Sequence, residues 1–207
     1  MAKLKAPLMS LGASGQLGKA LVFFSWKGLN VVRQHIVPTN PKTQAQLDQR
    51  QLMTWAIEAV HEAQSTAANK LGDTDKSAYA LWAGIVQAAT TWVNQAVRNQ
   101  IDQYVAGKHA AVYRGGTIAV ASGQVTITVY NTSIDPAGIT EGYFHYGTSK
   151  TALLSTSLAT IDVVTRKATK AIAGLTNGMK YYFQFRPSAL PDYIGNYSGI
   201  YTGTPSA

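Results

Sequence analysis

Apolar and polar positions along the chain fall into three regimes, and each regime predicts a different kind of element. Near the front, Val22-Phe-Phe-Ser-Trp26 and Asn30-Val-Val-Arg-Gln-His-Ile36 are short runs rich in β-branched and aromatic residues. Lys27-Gly28-Leu29 between them supplies a glycine for a tight loop, so the two runs predict a β-hairpin. A lone hairpin is marginal in water, and Phe23, Phe24, Trp26, Val31 and Val32 therefore need a surface, either the helices that follow or another chain. The preceding stretch, Leu11 to Gly18, is punctuated by glycine and reads as an arm that lies along a neighbour.

The second regime has apolar residues at spacings of three and four. Pro38 and Pro41 make the segment Val37–Thr43 extended and then turning, which places Asn40 as an N-cap and Pro41 at the first helical position. A helix from 41 to about 65 then carries Met53, Ala56, Ile57, Val60 and Ala63 on one face, widened by Leu52, Trp55 and Ala59. Leu71-Gly-Asp-Thr-Asp75 interrupts the pattern. Thr74 or Asp75 can cap a second helix from about 76 to 106, with Gly107 as its stop and a stripe of Ala78, Leu81, Trp82, Ile85, Ala89, Trp92, Val93, Ala96 and Val97. Two long helices joined by a short loop predict an antiparallel pair whose aromatic seam can also cover the hairpin.

At Tyr113-Arg-Gly-Gly-Thr117 the Ala/Gln-rich helical pattern gives way to short alternating runs between turn residues, a boundary between a 1–110 domain and a 111–207 domain. Gln124–Tyr130 alternates with Val125, Ile127 and Val129 on one face, and runs at 142–146, 155–164, 168–172 and 180–186 follow at the spacing of a β-sandwich. The expected class is α+β in two domains: arm, hairpin and antiparallel helix pair, then the sandwich.

Ala173-Gly-Leu175-Thr-Asn-Gly178-Met-Lys-Tyr181-Tyr-Phe-Gln-Phe185, with Asn196-Tyr-Ser-Gly199 and Thr202-Gly-Thr-Pro205, resembles the last two strands of a fibronectin type III domain and the corner before them. The resemblance implies an Ig-like sandwich over about 111–207. Leu175 would plug its base, Gly178 would permit the corner's turn, and the Tyr181 hydroxyl would bond back to the backbone, with Phe183 and Phe185 inward. Ile139–Tyr146 is similar to the family's third strand, with either Tyr143/His145 or Phe144/Tyr146 facing inward. Val129 stands where the family usually carries a core tryptophan.

The front of the chain resembles small proteins encoded by tailed bacteriophages and prophages. The features that carry this likeness are Gly15 to Gly18, Val22-Phe23, Val31-Val32-Arg33, Pro38-Thr-Asn-Pro-Lys-Thr43 and Gln49-Arg50. Coupled to the Ig-like domain, this likeness implies a virion protein, made in the host cytoplasm, that meets other capsid or tail subunits and forms homo-oligomers in the particle.

Charge sharpens this picture. Of the +8 net charge of the 207 residues, most sits at the front: residues 1–50 hold seven cations against Asp48 alone, a net of +6. Such a bias favours acidic partners, whether an acidic protein surface or nucleic acid. The absence of cysteine excludes disulfides and thiol chemistry, and no run of about 18 apolar residues is present to span a bilayer. Gly12-Ala-Ser-Gly15-Gln-Leu-Gly18-Lys19-Ala20 lacks the first glycine and the Ser/Thr of a phosphate-binding loop, and its glycines do not fit the dinucleotide fingerprint. His35, His61, His109 and His145 are dispersed, no nucleophile elbow is present, and Glu58 and Glu62 with His61 read as a solvated helix stripe. Trp26, Trp55, Trp82 and Trp92 with nearby cations could stack single-stranded nucleic acid, but three of them fall on helix core stripes.

These observations predict a non-enzymatic protein with no cofactor, no metal and no membrane segment. Its candidate assembly contacts are Lys19, Phe23, Trp26, Lys27, Arg33, Asn40 and Arg50, and Leu175, Gly178 and Tyr181 are the structural residues of the sandwich. The role expected is a capsid-decorating or minor capsid component, with the tail or neck as a variant location. Nucleic-acid binding through the basic front is the alternative.

Overall fold

A computed structural model describes residues 2–3, 14–40, 42–86, 91–132, 138–188 and 191–206. The described residues form a mixed α/β structure with three α-helices and three antiparallel sheets, and the chain divides into compact units at 1–43 and 44–207.

In the first unit, β1 (Ala2–Lys3), β2 (Gly15–Leu17), β3 (Leu21–Trp26) and β4 (Leu29–Gln34) form one sheet in the order β1-β4-β3-β2. The expected hairpin is its centre. Lys27 and Gly28 both have left-handed backbone, φ 51° and 75°, the two-residue turn whose twist matches that of the flanking strands. The three-residue β2–β3 loop also uses left-handed backbone, Gly18 and Lys19 at φ 54° and 57°, and Ala20 N–H donates to Leu17 O at 3.0 Å. Part of the expected arm is therefore strand: Gln16 pairs with Val22 and Leu17 with Leu21, because that turn reverses the chain onto β3. Residues 11–13 of the arm lie outside the described residues.

The second unit begins with α1 (Gln44–Ser65), α2 (Asp73–Val86) and α3 (Trp92–Val105). Asn40 was expected to cap the first helix and instead lies in coil, since α1 starts only at Gln44; Pro41 lies outside the described residues. The single second helix expected over 76–106 is two helices. Thr91 starts the second of them, with extended backbone and a hydroxyl that accepts from Asn94 N–H at 3.3 Å, a cap that competes with helix continuation. α2 opens before the expected caps. Asp75 sits in its first turn and reaches back to accept the Gly72 N–H at 2.9 Å, half of a capping box. At the end of α3, Gly107 has φ 68°, and Gly107 and Lys108 N–H donate to Tyr104 and Gln103 carbonyls, which closes the helix as the glycine predicts. Ala56, Val60, Ala63, Tyr79, Ala96 and Val97 are buried between the helices, with Trp82 and Trp92 packed against them.

The eight remaining strands are β5 (Tyr113–Ala121), β6 (Gln124–Asn131), β7 (Gly142–Gly147), β8 (Ser155–Leu158), β9 (Thr160–Asp162), β10 (Lys167–Ala173), β11 (Tyr181–Pro187) and β12 (Tyr201–Gly203). They make two four-stranded antiparallel sheets, β5-β6-β10-β9 and β12-β11-β7-β8. Val125, Ile127, Val129 and Ile172 from the first share one core with Phe144, Phe183 and Phe185 from the second. In β7 the inward pair is Phe144, fully buried, with Tyr146 against it. At the corner before β11, Leu175 is buried, Gly178 has φ 74°, and the Tyr181 hydroxyl accepts the Thr176 N–H at 3.1 Å.

Helices and sheets are joined through a buried polar seam. Asp75 is 1% exposed, and its Oδ1 accepts from Gly116 N–H at 2.9 Å and from the Tyr201 hydroxyl at 2.8 Å. Tyr113 N–H donates to the Tyr79 hydroxyl at 2.9 Å, Ile200 N–H donates to Ala78 O at 3.0 Å, and the Ala78 side chain belongs to the core of the sheets. Burial pushes the Tyr79, Tyr113 and Tyr201 hydroxyls well above the usual tyrosine range, so all three act as neutral groups. The change of composition near 113 therefore marks a change of secondary structure inside one packed unit, and the break in packing falls at 43/44.

Candidate assembly surfaces

The sheet of the first unit is built from tight turns and short strands, and among its described residues only Phe23 and Val31 are buried. They lie on opposite faces, because Phe23 pairs with Val32 and Val31 with Phe24. Phe23 was expected as an assembly contact and is an interior residue. One face carries Val22, Phe24, Trp26, Leu29, Val31 and Arg33; Trp26 and Leu29 pair directly and are 56% and 46% exposed. The Arg33 guanidinium lies 5.3 Å from the Phe24 ring centroid, a cation–π contact that holds a charge over the aromatic surface. On the other face Leu17 pairs with Leu21, both exposed.

Lys27 is set in the β3–β4 turn beside Trp26 and Leu29, while Lys19 sits in the turn at the far end of β3. Trp26, Lys27 and Arg33 are thus brought together in one small sheet; Asn40 follows it in exposed coil, and Arg50 belongs to α1 in the second unit. The unit holds six lysines and arginines, Lys3, Lys5, Lys19, Lys27, Arg33 and Lys42, and no carboxylate side chain. Leu17, Leu21 and Leu29 escape the sequence reading because each lies just beyond the run that signals the hairpin. Their pairing makes them matter.

A second surface runs along α1. Its first three turns are exposed, with Leu47, Met53 and Trp55 42%, 46% and 46% exposed, so the broad buried face expected for this helix narrows to Ala56, Val60 and Ala63. Trp55, expected in the helical core, instead meets Tyr104 of α3 at 6.2 Å between ring centroids. Trp55, Glu58, Ala59 and Glu62 with Tyr104 line a groove between α1 and α3. Glu58 and Glu62, read from sequence as a solvated stripe, form its acidic rim.

Among the described residues no group of three or more His, Asp or Glu side chains is placed to hold a metal ion. His109 stacks on Tyr193, with ring centroids 5.4 Å apart, and His145 is half-buried on β7. No described helix is long and apolar enough to cross a membrane. No protein-family model matches the chain, and no curated protein matches it in sequence.

Proposed function

We propose that this chain is a non-enzymatic structural protein of a tailed-phage virion, a capsid-decorating or minor capsid component with the tail or neck as the variant location. It docks through its N-terminal part and displays the two sheets of 111–207 as an Ig-like, fibronectin type III-like sandwich. The observation that carries this reading is the first unit itself: a basic sheet without carboxylates that leaves Trp26/Leu29 and Leu17/Leu21 outward as apolar pairs. Exposed apolar pairs within a charged surround suit a protein interface, where aromatic anchors supply most of the binding energy. The order of strands in the two sheets and the Tyr181–Thr176 bond support the sandwich reading.

Mass spectrometry of gradient-purified particles from the encoding phage tests it. The chain is expected in fixed ratio to the major capsid or tail subunit, and Trp26→Ser should deplete it from particles while leaving it folded in the lysate. A chain found only in the soluble fraction overturns the proposal.

The Phe24, Trp26 and Arg33 face keeps the nucleic-acid reading as the alternative, since alternate aromatic residues beside cations can stack bases. Titration with single-stranded and duplex DNA separates the two. The virion reading expects binding no tighter than the non-specific range of about 10⁻⁴ to 10⁻⁶ M at physiological salt. Tighter, salt-sensitive binding abolished by neutralising Lys27 and Arg33 selects the alternative.

A further inference from the structure

The two surfaces complement one another in charge, and both carry exposed apolar side chains. The β3–β4 tip presents Trp26 and Leu29 around Lys27 on a turn whose left-handed residues hold the lysine at a defined point. The α1–α3 groove is lined by the Trp55 and Tyr104 rings together with the exposed Glu58 and Glu62. An apolar pair with a central cation fits an aromatic floor with an acidic rim: the rings would cover Trp26 and Leu29 while the carboxylates meet the ammonium. The chain has only ten Asp and Glu residues, and two of them, Glu58 and Glu62, line this groove, with Arg114 within electrostatic reach of Glu62.

We propose that the hairpin tip of one copy, Trp26 to Leu29, seats in the α1–α3 groove of a second copy. Tip and groove are different patches, so the contact is heterologous: each copy offers one tip and one groove. Repetition closes a ring or extends a filament according to the rotation per copy. The inference goes beyond the virion reading and does not depend on it, since it concerns the purified chain alone.

Sedimentation velocity of the full chain over a wide concentration range tests it through paired charge reversal. Asp tolerates left-handed backbone better than most residues, so Lys27→Asp reverses the tip with little cost to the turn, and Glu58→Lys/Glu62→Lys reverses the groove. Wild type should associate with concentration and weaken with salt, and each variant alone should associate about tenfold or more weaker. An equimolar mixture of the two variants should recover association, because each tip then meets a groove of opposite sign. Trp26→Ser should weaken association at every salt concentration, and circular dichroism should show all variants folded. A wild type that stays monomeric overturns the proposal, as do reversals that leave association unchanged or a mixture that fails to recover it.

Discussion

Asp75→Ala is the most informative single change in the 44–207 unit. The carboxylate receives Gly116 N–H, Gly72 N–H and the Tyr201 hydroxyl at 2.8–2.9 Å, and it ties the first turn of α2 to β5 and β12 at once. Alanine leaves two buried donors, Gly116 N–H and Tyr201 O–H, without acceptors. At about 1–3 kcal/mol for each orphaned group the loss is about 2–6 kcal/mol. The Gly72 amide is only partly buried and can turn to water, so it adds little. Asn at the same position keeps one acceptor oxygen but sets an NH₂ against one of the donors, so Asp75→Asn should fall between wild type and alanine.

The decisive measurement is a double-mutant cycle by denaturant unfolding. Tyr201→Phe in the native background removes a hydrogen bond to a charged acceptor, about 1.5–3 kcal/mol. In the Asp75→Ala background it removes an already orphaned hydroxyl and should be neutral or stabilising. Equal costs for Tyr201→Phe in both backgrounds, or a loss below about 1 kcal/mol for Asp75→Ala, would refute the assignment of Asp75 as the joint of this unit.

The 44–207 fragment should unfold in one transition, whereas 111–207 lacks Asp75, Tyr79 and Ala78 and should be markedly less stable; equal melting of the two fragments refutes the shared core. Gly199→Ala would put a Cβ 2.7 Å from the Ala78 carbonyl carbon, backbone against backbone, and should cost about 1–3 kcal/mol in denaturant unfolding. Burial, aided by Arg186, holds His145 below the ordinary histidine value. The unfolded chain therefore takes up a proton near pH 6.5 that the folded chain resists, stability falls as pH drops below about 6.5, and His145→Gln should flatten that slope in urea titrations at several pH values.

The features legible in the sequence are those set within a few residues. Lys27-Gly28 specifies its turn because glycine admits the left-handed backbone at no cost, Gly107 closes α3 for the same reason, and the alternation of Val125, Ile127 and Val129 specifies β6 because side chains on a strand point to opposite faces in turn. Tyr181 finds the Thr176 amide only five residues away. Where two local answers satisfied the same rule, packing chose between them: Phe144 faces inward because Phe185 and Phe183 of the neighbouring strand are already there. Thr91 could continue a helix or cap one, and its extended backbone with the Asn94 N–H on its hydroxyl makes it the cap. Asp75 looks from sequence like an ordinary helix-start acid, yet its partners lie 41 and 126 residues away, at Gly116 and Tyr201. The same distance rule explains Trp55. Its spacing on α1 suits a core position, but whether a helix stripe is buried depends on what the rest of the chain lays against it, and Trp55, with the tilted Tyr104 ring beside it, stays 46% exposed.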